Sequence, residues 1–143
     1  MNIKSHKSRI AGICLAIGAL AVVGGAQADT CKNVDIVVVN QGSQTVEVLS
    51  MDYRAYTDNQ DRHESLPNTQ VAAGATKTVG SNQNLAGIEG YNMKSITIHY
   101  KAWCAGANKW SAEKTYTDTT FLAPKCGSGS KYTVQIPKRD ECN

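Results

Sequence analysis

The stretch SITIHYKAW, residues 95–103, decides the fold class. Two sets of side chains alternate along it. The apolar set is Ile96, Ile98, Tyr100 and Ala102, and the polar or amphipathic set is Thr97, His99, Lys101 and Trp103. A period of two residues places the two sets on opposite faces of a β-strand. The stretch is therefore predicted to be a strand with one face buried and the other open to solvent.

Further strands are predicted on both sides of this one. Residues 34–40 form a dense β-branched run, and residues 44–53 form a second run whose alternation changes phase after Val48. A change of phase inside a strand indicates a β-bulge. Residues 131–136 predict a last strand that buries Tyr132, Val134 and Ile136.

The remaining segments are shorter or more polar. Residues 57–68 and 80–90 are predicted to be loops, the second with a helical turn near Leu85. Between them, residues 71–79 predict two short strands around a glycine turn, and weaker strands are predicted at 110–117 and 119–122. About seven short strands with frequent turns predict an all-β, antiparallel β-sandwich. A small up-and-down or Greek-key barrel is the alternative.

The first 28 residues have the pattern of a secretory signal peptide. Lys4, Lys7 and Arg9 precede an apolar run that ends in the Ala-Gln-Ala site of residues 26–28. A basic segment, an apolar segment and an Ala-x-Ala site form the signature of such a peptide. Cleavage after Ala28 is expected to leave a single domain, residues 29–143, that is periplasmic or secreted and no longer attached to a membrane.

The predicted mature chain carries no net formal charge. The whole chain has 15 Lys and Arg against 12 Asp and Glu, and the excess of three lies in residues 1–28. A protein that binds nucleic acid through a basic field is expected to show a basic domain. We therefore expect no nucleic-acid partner, and the oligomeric state is left open.

Four cysteines remain after removal of Cys14, and their even number in an exported chain predicts two disulfides. Three pairings are possible, and we favour Cys104–Cys126 together with Cys31–Cys142, because the second bond would join the two ends of the domain. Zinc binding is the alternative for these residues. It is disfavoured because the chain has no Cys-x-x-Cys pair, so neither a metal nor another cofactor is expected.

Residues 34–79 resemble immunoglobulin-like modules of exported bacterial proteins. The resemblance lies in a strand-turn-strand that ends in Val46-Glu-Val48, followed by VAAGATKTV at residues 71–79. Such modules often carry Pro-Gly-x-Thr-x-x-Val at an edge, and this chain has Ala73 in place of the proline. The resemblance implies a fold and no particular activity.

Aromatic side chains are the candidate binding residues. Trp103 and Trp110 flank a predicted turn, and with Tyr53, Tyr56 and Tyr91 they are expected to form an exposed platform. Aromatic platforms stack on sugars and anchor protein partners. The competing interpretation is that these side chains pack in the core, as a tryptophan beside a disulfide commonly does.

Catalysis is the second hypothesis. The polar segment at residues 58–64, from Asp58 to Glu64, contains Asp61 and His63, and His99 lies on the polar side of its strand. Carboxylates and an imidazole suit acid–base chemistry, which would fit a small secreted hydrolase or toxin-like effector. No serine or cysteine nucleophile motif accompanies them. We therefore predict a non-enzymatic binding domain that recognises a protein or surface polymer, including the roles of periplasmic inhibitor or immunity protein.

Overall fold

The computed structural model describes residues 29–57, 59–120 and 125–142. Within these ranges the chain forms eight strands and no α-helix, and one 3₁₀ turn lies at Ala105–Ala107. The strands are β1 (Cys31–Asn40), β2 (Val46–Ala55), β3 (Arg62–Val71), β4 (Thr76–Leu85), β5 (Met93–Cys104), β6 (Lys109–Trp110), β7 (Lys114–Asp118) and β8 (Lys131–Ile136). The signal-peptide prediction, Asp58 and residues 121–122 of the strand predicted at 119–122 fall outside the described residues, and residues 119–120 are not in a strand.

Two sheets pack face to face. The smaller sheet has the order β4-β1-β8, and the larger has the order β3-β2-β5, with β6 and then β7 along the free edge of β5. This arrangement confirms the predicted all-β sandwich. One pair departs from the antiparallel pattern, because β1 and β8 run parallel from Asp35 beside Lys131 to Asn40 beside Ile136. Parallel neighbours need a long connection, which the six strands between them provide.

The core lies between the sheets and follows the predicted alternation. Every second residue of β5 is buried from Ile96 to Cys104, and Tyr132, Val134 and Ile136 of β8 face it from the other sheet. On β2 the register shifts between Val48 and Ser50 against both neighbouring strands. This irregularity confirms the predicted bulge. It allows Val46 and Val48, then Met51 and Tyr53, all to reach the core.

Two predicted loops are wrong. Residues 62–71 form β3, and β4 continues to Leu85. Both strands lie at sheet edges and bury few side chains, Leu66 and Val71 on β3 among them. An edge strand has one face in solvent and one side without a neighbouring strand. Its sequence is therefore mostly polar, and it lacks the apolar–polar alternation by which a strand is predicted. The predicted helical turn near Leu85 is absent as well, since Leu85 ends β4.

Both predicted disulfide pairings are wrong, although all four cysteines do form disulfides. The bonds are Cys31–Cys126 and Cys104–Cys142. The parallel pairing of β1 with β8 brings the segment before β8 next to the start of β1, so Cys126 meets Cys31. The segment after β8 then passes the end of β5, where Cys142 meets Cys104. Because the cysteines are joined to one another, they are not zinc ligands.

Candidate functional site

The outer side of the larger sheet is the candidate site. Its inner side packs on the smaller sheet, so outward side chains of β2, β3, β5 and β7 meet solvent. We call this surface the polar face. Its central row is formed by alternate residues of β5, which are Ser95, Thr97, His99, Lys101 and Trp103. A strand rises about 3.4 Å per residue, so the row is about 27 Å long.

A chain of ion pairs crosses the polar face from strand to strand. Asp52 Oδ1 lies 2.7 Å from His63 Nδ1, and Asp52 Oδ2 lies 2.8 Å from His99 Nε2. On its other side, His99 Nδ1 lies 2.9 Å from Glu113 Oε1. The exposed fraction of the side chain falls from 58% at His63 to 20% at His99. His99 is thus the shielded centre of the chain.

The two inner groups favour their charged forms. Partial burial alone would lower the pKa of His99, but hydrogen bonds to Asp52 and Glu113 outweigh it and raise that pKa. The same contacts overcome the effect of burial on Asp52 and lower its pKa. Each ring nitrogen of His99 lies within hydrogen-bond distance of a carboxylate oxygen. When His99 is protonated, both nitrogens donate to these carboxylates and no lone pair remains for a general base.

Beside this chain, the polar face contains a depression of about 330 Å³ bordered by Arg54, Ser95 and Thr97. Arg54 forms a two-pronged contact with Asp61, with N–O distances of 2.8 and 2.6 Å. The hydroxyls of Thr97 and Thr117 lie 2.8 Å apart. The polar groups around the depression are thus held in place by one another.

The two tryptophans lie at the other end of the row. Trp103 of β5 is directly opposite Trp110 of β6, and their rings meet edge to face with centroids 5.4 Å apart. The register confirms that they flank one turn. A second depression of about 620 Å³ lies beside Trp103 and is also lined by Gln44 and the Cys104–Cys142 disulfide.

Gln44 brings an unusual acceptor to this depression. Its Nε2 donates to Asp140 Oδ1 at 3.4 Å, which fixes the orientation of the amide. Its Oε1 is buried, and no donor reaches it from the parts of the chain that the structure describes. A buried oxygen without a donor costs about 1–3 kcal/mol. The unsatisfied oxygen is therefore a local cost to stability, and it lies out of reach of solvent.

The five predicted aromatic residues do not form one platform. Tyr53 is only 2% exposed and lies in the core, so its assignment to an exposed patch is wrong. Tyr91 is partly buried and packs against the core. Tyr56 is 62% exposed, but it follows the end of β2, about 35 Å along the strand from the tryptophan pair. Only Trp103 and Trp110 are brought together.

Two of the candidate catalytic residues, Asp61 and His63, are engaged in ion pairs. Asp61 is bound by Arg54, and His63 contacts Asp52. Glu64 lies opposite Met51 in the pairing of β3 with β2. Within the described ranges, no group of three or more His, Cys, Asp or Glu residues is arranged to hold a metal ion.

Sequence reasoning missed the Asp52–His99–Glu113 chain. Alternation already placed His99 on the open face, and the bulge in β2 turns Asp52 to that face as well. What the sequence lacked was the register, which places Asp52 opposite both His63 and Thr97. From the sequence, one could predict only that Asp52 and His99 each point outward from their own strand, and not that they are neighbours.

In residues 29–57, 59–120 and 125–142, no helix is long and apolar enough to cross a membrane. The two disulfides indicate an oxidising environment outside the cytoplasm. Comparison with known protein families, with curated proteins and with solved structures finds no significant match. The resemblance of residues 34–79 to immunoglobulin-like modules therefore stays a prediction, and the function has to be argued from the polar face itself.

Proposed function

We propose that this protein is an exported, non-enzymatic binding domain that recognises a protein or surface polymer through its polar face. The observation that carries the proposal is the tryptophan pair at one end of an open and ordered sheet surface. Tryptophan is the residue most enriched among those that dominate binding energy. Trp103 and Trp110 are both partly exposed, so their rings remain accessible to a partner.

The order of the polar face supports binding. Side chains that are already fixed by ion pairs and hydrogen bonds lose little conformational entropy when a partner settles on them. Arg54 is fixed by Asp61, Thr97 by Thr117, and His99 by two carboxylates. The surface is therefore preorganised across its whole width.

The same contacts argue against acid–base catalysis. A general base needs a free lone pair within reach of the proton that it removes. Both ring nitrogens of His99 lie within hydrogen-bond distance of carboxylates, and the hydroxyls of Thr97 and Thr117 are bonded to each other. This arrangement supports a structural role for His99 and favours the binding hypothesis over a hydrolase.

Export completes the proposal. Residues 1–28 are proposed to act as a cleaved signal peptide, and the domain then works in the periplasm or outside the cell. The separations of 95 and 38 residues between the bonded cysteines mean that both disulfides constrain long loops. A small binding domain outside the cytoplasm gains stability from such bonds.

The test measures binding of the mature protein to immobilised surface polymers and to periplasmic proteins. Trp103→Ala combined with Trp110→Ala is expected to weaken binding at least about tenfold, or about 1.4 kcal/mol. Tyr56→Ala is the matched control, because it removes an exposed ring about 35 Å from the pair. Equal binding by the double variant and the wild type would refute the proposal, provided that circular dichroism shows both to be folded.

A further inference from the structure

We infer that the ligand of the polar face is an uncharged polysaccharide chain that lies along β5 from the tryptophan pair to Thr97. The inference rests on the proposed binding function and adds the chemical class of the ligand. Three features of the described surface carry it: its balance of charge, the chemistry of its two ends, and its length.

Charges on the polar face cancel one another. Each of four carboxylates on it or at its rim has a basic neighbour: Glu47 lies opposite Lys101, Asp61 is bound by Arg54, and Asp52 and Glu113 share His99. Lys94 adds a further cation at the rim. A strongly charged partner would therefore gain no field to steer it. The face is complementary to a neutral ligand.

The Trp103 end matches a sugar ring in two ways. Sugar rings have an apolar C–H face, which packs on aromatic rings, and hydroxyl groups around the edge. The depression beside Trp103 is also lined by Gln44, whose side-chain amide can both donate and accept hydrogen bonds. Sugar hydroxyls are suited to such an amide while the ring packs on the indole.

The residues that line the opposite end are all polar or charged. The depression of about 330 Å³ near Thr97 is bordered by hydroxyl, carboxylate and guanidinium groups. These groups both donate and accept hydrogen bonds, as hydroxyl-rich ligands require. Its volume is at the lower end of the range typical of small-ligand sites, which is about 300–1,000 Å³.

The separation of the two depressions favours a polymer over a single sugar. The row from Trp103 to Ser95 is about 27 Å long, and one depression lies at each end. A monosaccharide would fill only one of them. An extended neutral chain contacts both and passes over the ordered His99 cluster between them.

The first experiment is affinity electrophoresis of the mature protein in native gels that each contain one polysaccharide. The neutral probes are a soluble α-glucan, a mixed-linkage β-glucan, a galactomannan and a xylan, and alginate and heparin are the charged probes. Retardation by at least one neutral probe is expected, and it should persist in high salt because no net charge is matched. Retardation by charged probes alone, or by none of the six, would overturn the inference.

Variants locate the ligand. Trp103→Ala is expected to weaken binding at least tenfold, and Thr97→Val to weaken it severalfold by removing one hydroxyl. Thr133→Val is the matched control, since Thr133 is exposed on β8 in the other sheet and its variant should bind as the wild type does. If Thr97→Val and Thr133→Val bind alike, the placement along β5 is wrong.

A second measurement needs no substitution. Trp103 and Trp110 are the chain's two tryptophans, and both lie at the proposed site. Adding the retarding polysaccharide should therefore shift or quench the intrinsic fluorescence in a saturable way, and an unchanged spectrum would overturn the inference. If no polysaccharide binds but a purified protein does, with a loss in the double tryptophan variant, the ligand class is wrong and the proposed function stands.

Discussion

Removal of the Cys104–Cys142 disulfide should destabilise the protein by an amount that the loop length sets. The bonded residues are separated by 38 positions, so the chain-entropy relation gives about 3.9 kcal/mol at 25 °C for the cross-link. For Cys31–Cys126, with a separation of 95, the same relation gives about 4.7 kcal/mol. Each bond therefore contributes a large part of the stability of a domain this size.

The first loss translates into a measurable change in melting temperature. Unfolding entropy is about 2.1 cal/mol/K per residue, or about 0.24 kcal/mol/K for residues 29–143, so about 3.9 kcal/mol corresponds to about 16 °C. Differential scanning calorimetry of Cys104→Ala/Cys142→Ala against the wild type measures this shift. The matched control is Cys31→Ala/Cys126→Ala, which should lower the melting temperature slightly more.

Peptide mapping without reduction provides the check on connectivity. Each double variant should retain the other disulfide intact, and the wild type should yield one peptide pair containing Cys31 with Cys126. A shift of less than about 3 °C for Cys104→Ala/Cys142→Ala would refute the entropic argument. A peptide pair joining Cys31 to Cys142 would refute the connectivity itself.

Three further predictions concern stability. The pKa of His99 is raised in the folded protein, so its ion pairs stabilise fully below about pH 6.5, and this stabilisation is lost as the pH rises through the folded-state pKa. The His99→Gln variant should therefore show a flatter decline of melting temperature with rising pH. An unchanged pH profile would contradict this. Asn40→Ala should cost at least about 2 kcal/mol in urea denaturation, because the buried Asn40 amide donates to the carbonyls of Gln44, Val71 and Ala72; a cost below 0.5 kcal/mol would contradict this. Asp118→Ala should cost about 1–3 kcal/mol by the same measurement, since buried Asp118 accepts from two backbone N–H groups, and an unaffected midpoint would show that water replaces these contacts.

The interior of the sandwich could be predicted because buried positions recur as apolar residues at every second place in the sequence of a strand. From Ile96 to Ala102 on β5 and along β8, each inward position is apolar or aromatic and the residues between are polar, so the alternation identifies both the strand and its buried face. The bulge in β2 was predictable for the same reason, because the two apolar sets on either side of Val48 differ in phase. In each case a buried position selects an apolar residue, so the residue type reveals the burial.

The edge strands of the sandwich could not be predicted in this way, because their sequences lack this alternation. On β3, the polar run ahead of Leu66 pairs through backbone groups that every sequence possesses. The disulfide pairing failed for a related reason, since it depends on the parallel contact between β1 and β8. Alternation gives the face of each strand but not the neighbour of the strand, so connectivity lies outside what a single sequence encodes locally.

The ionisable groups of the polar face could not be recognised as a cluster without knowing which strands are neighbours. Asp52, His99 and Glu113 are unremarkable in the sequence because 47 and 14 residues separate the paired side chains. Register turns them into a row in which the His99 imidazole lies between two carboxylates. Residues 29–143 carry equal numbers of basic and acidic side chains, and on the polar face carboxylates likewise lie beside basic groups. Its many charged residues therefore produce an ordered surface with little net field, which selects partners by shape, aromatic contact and hydrogen bonding.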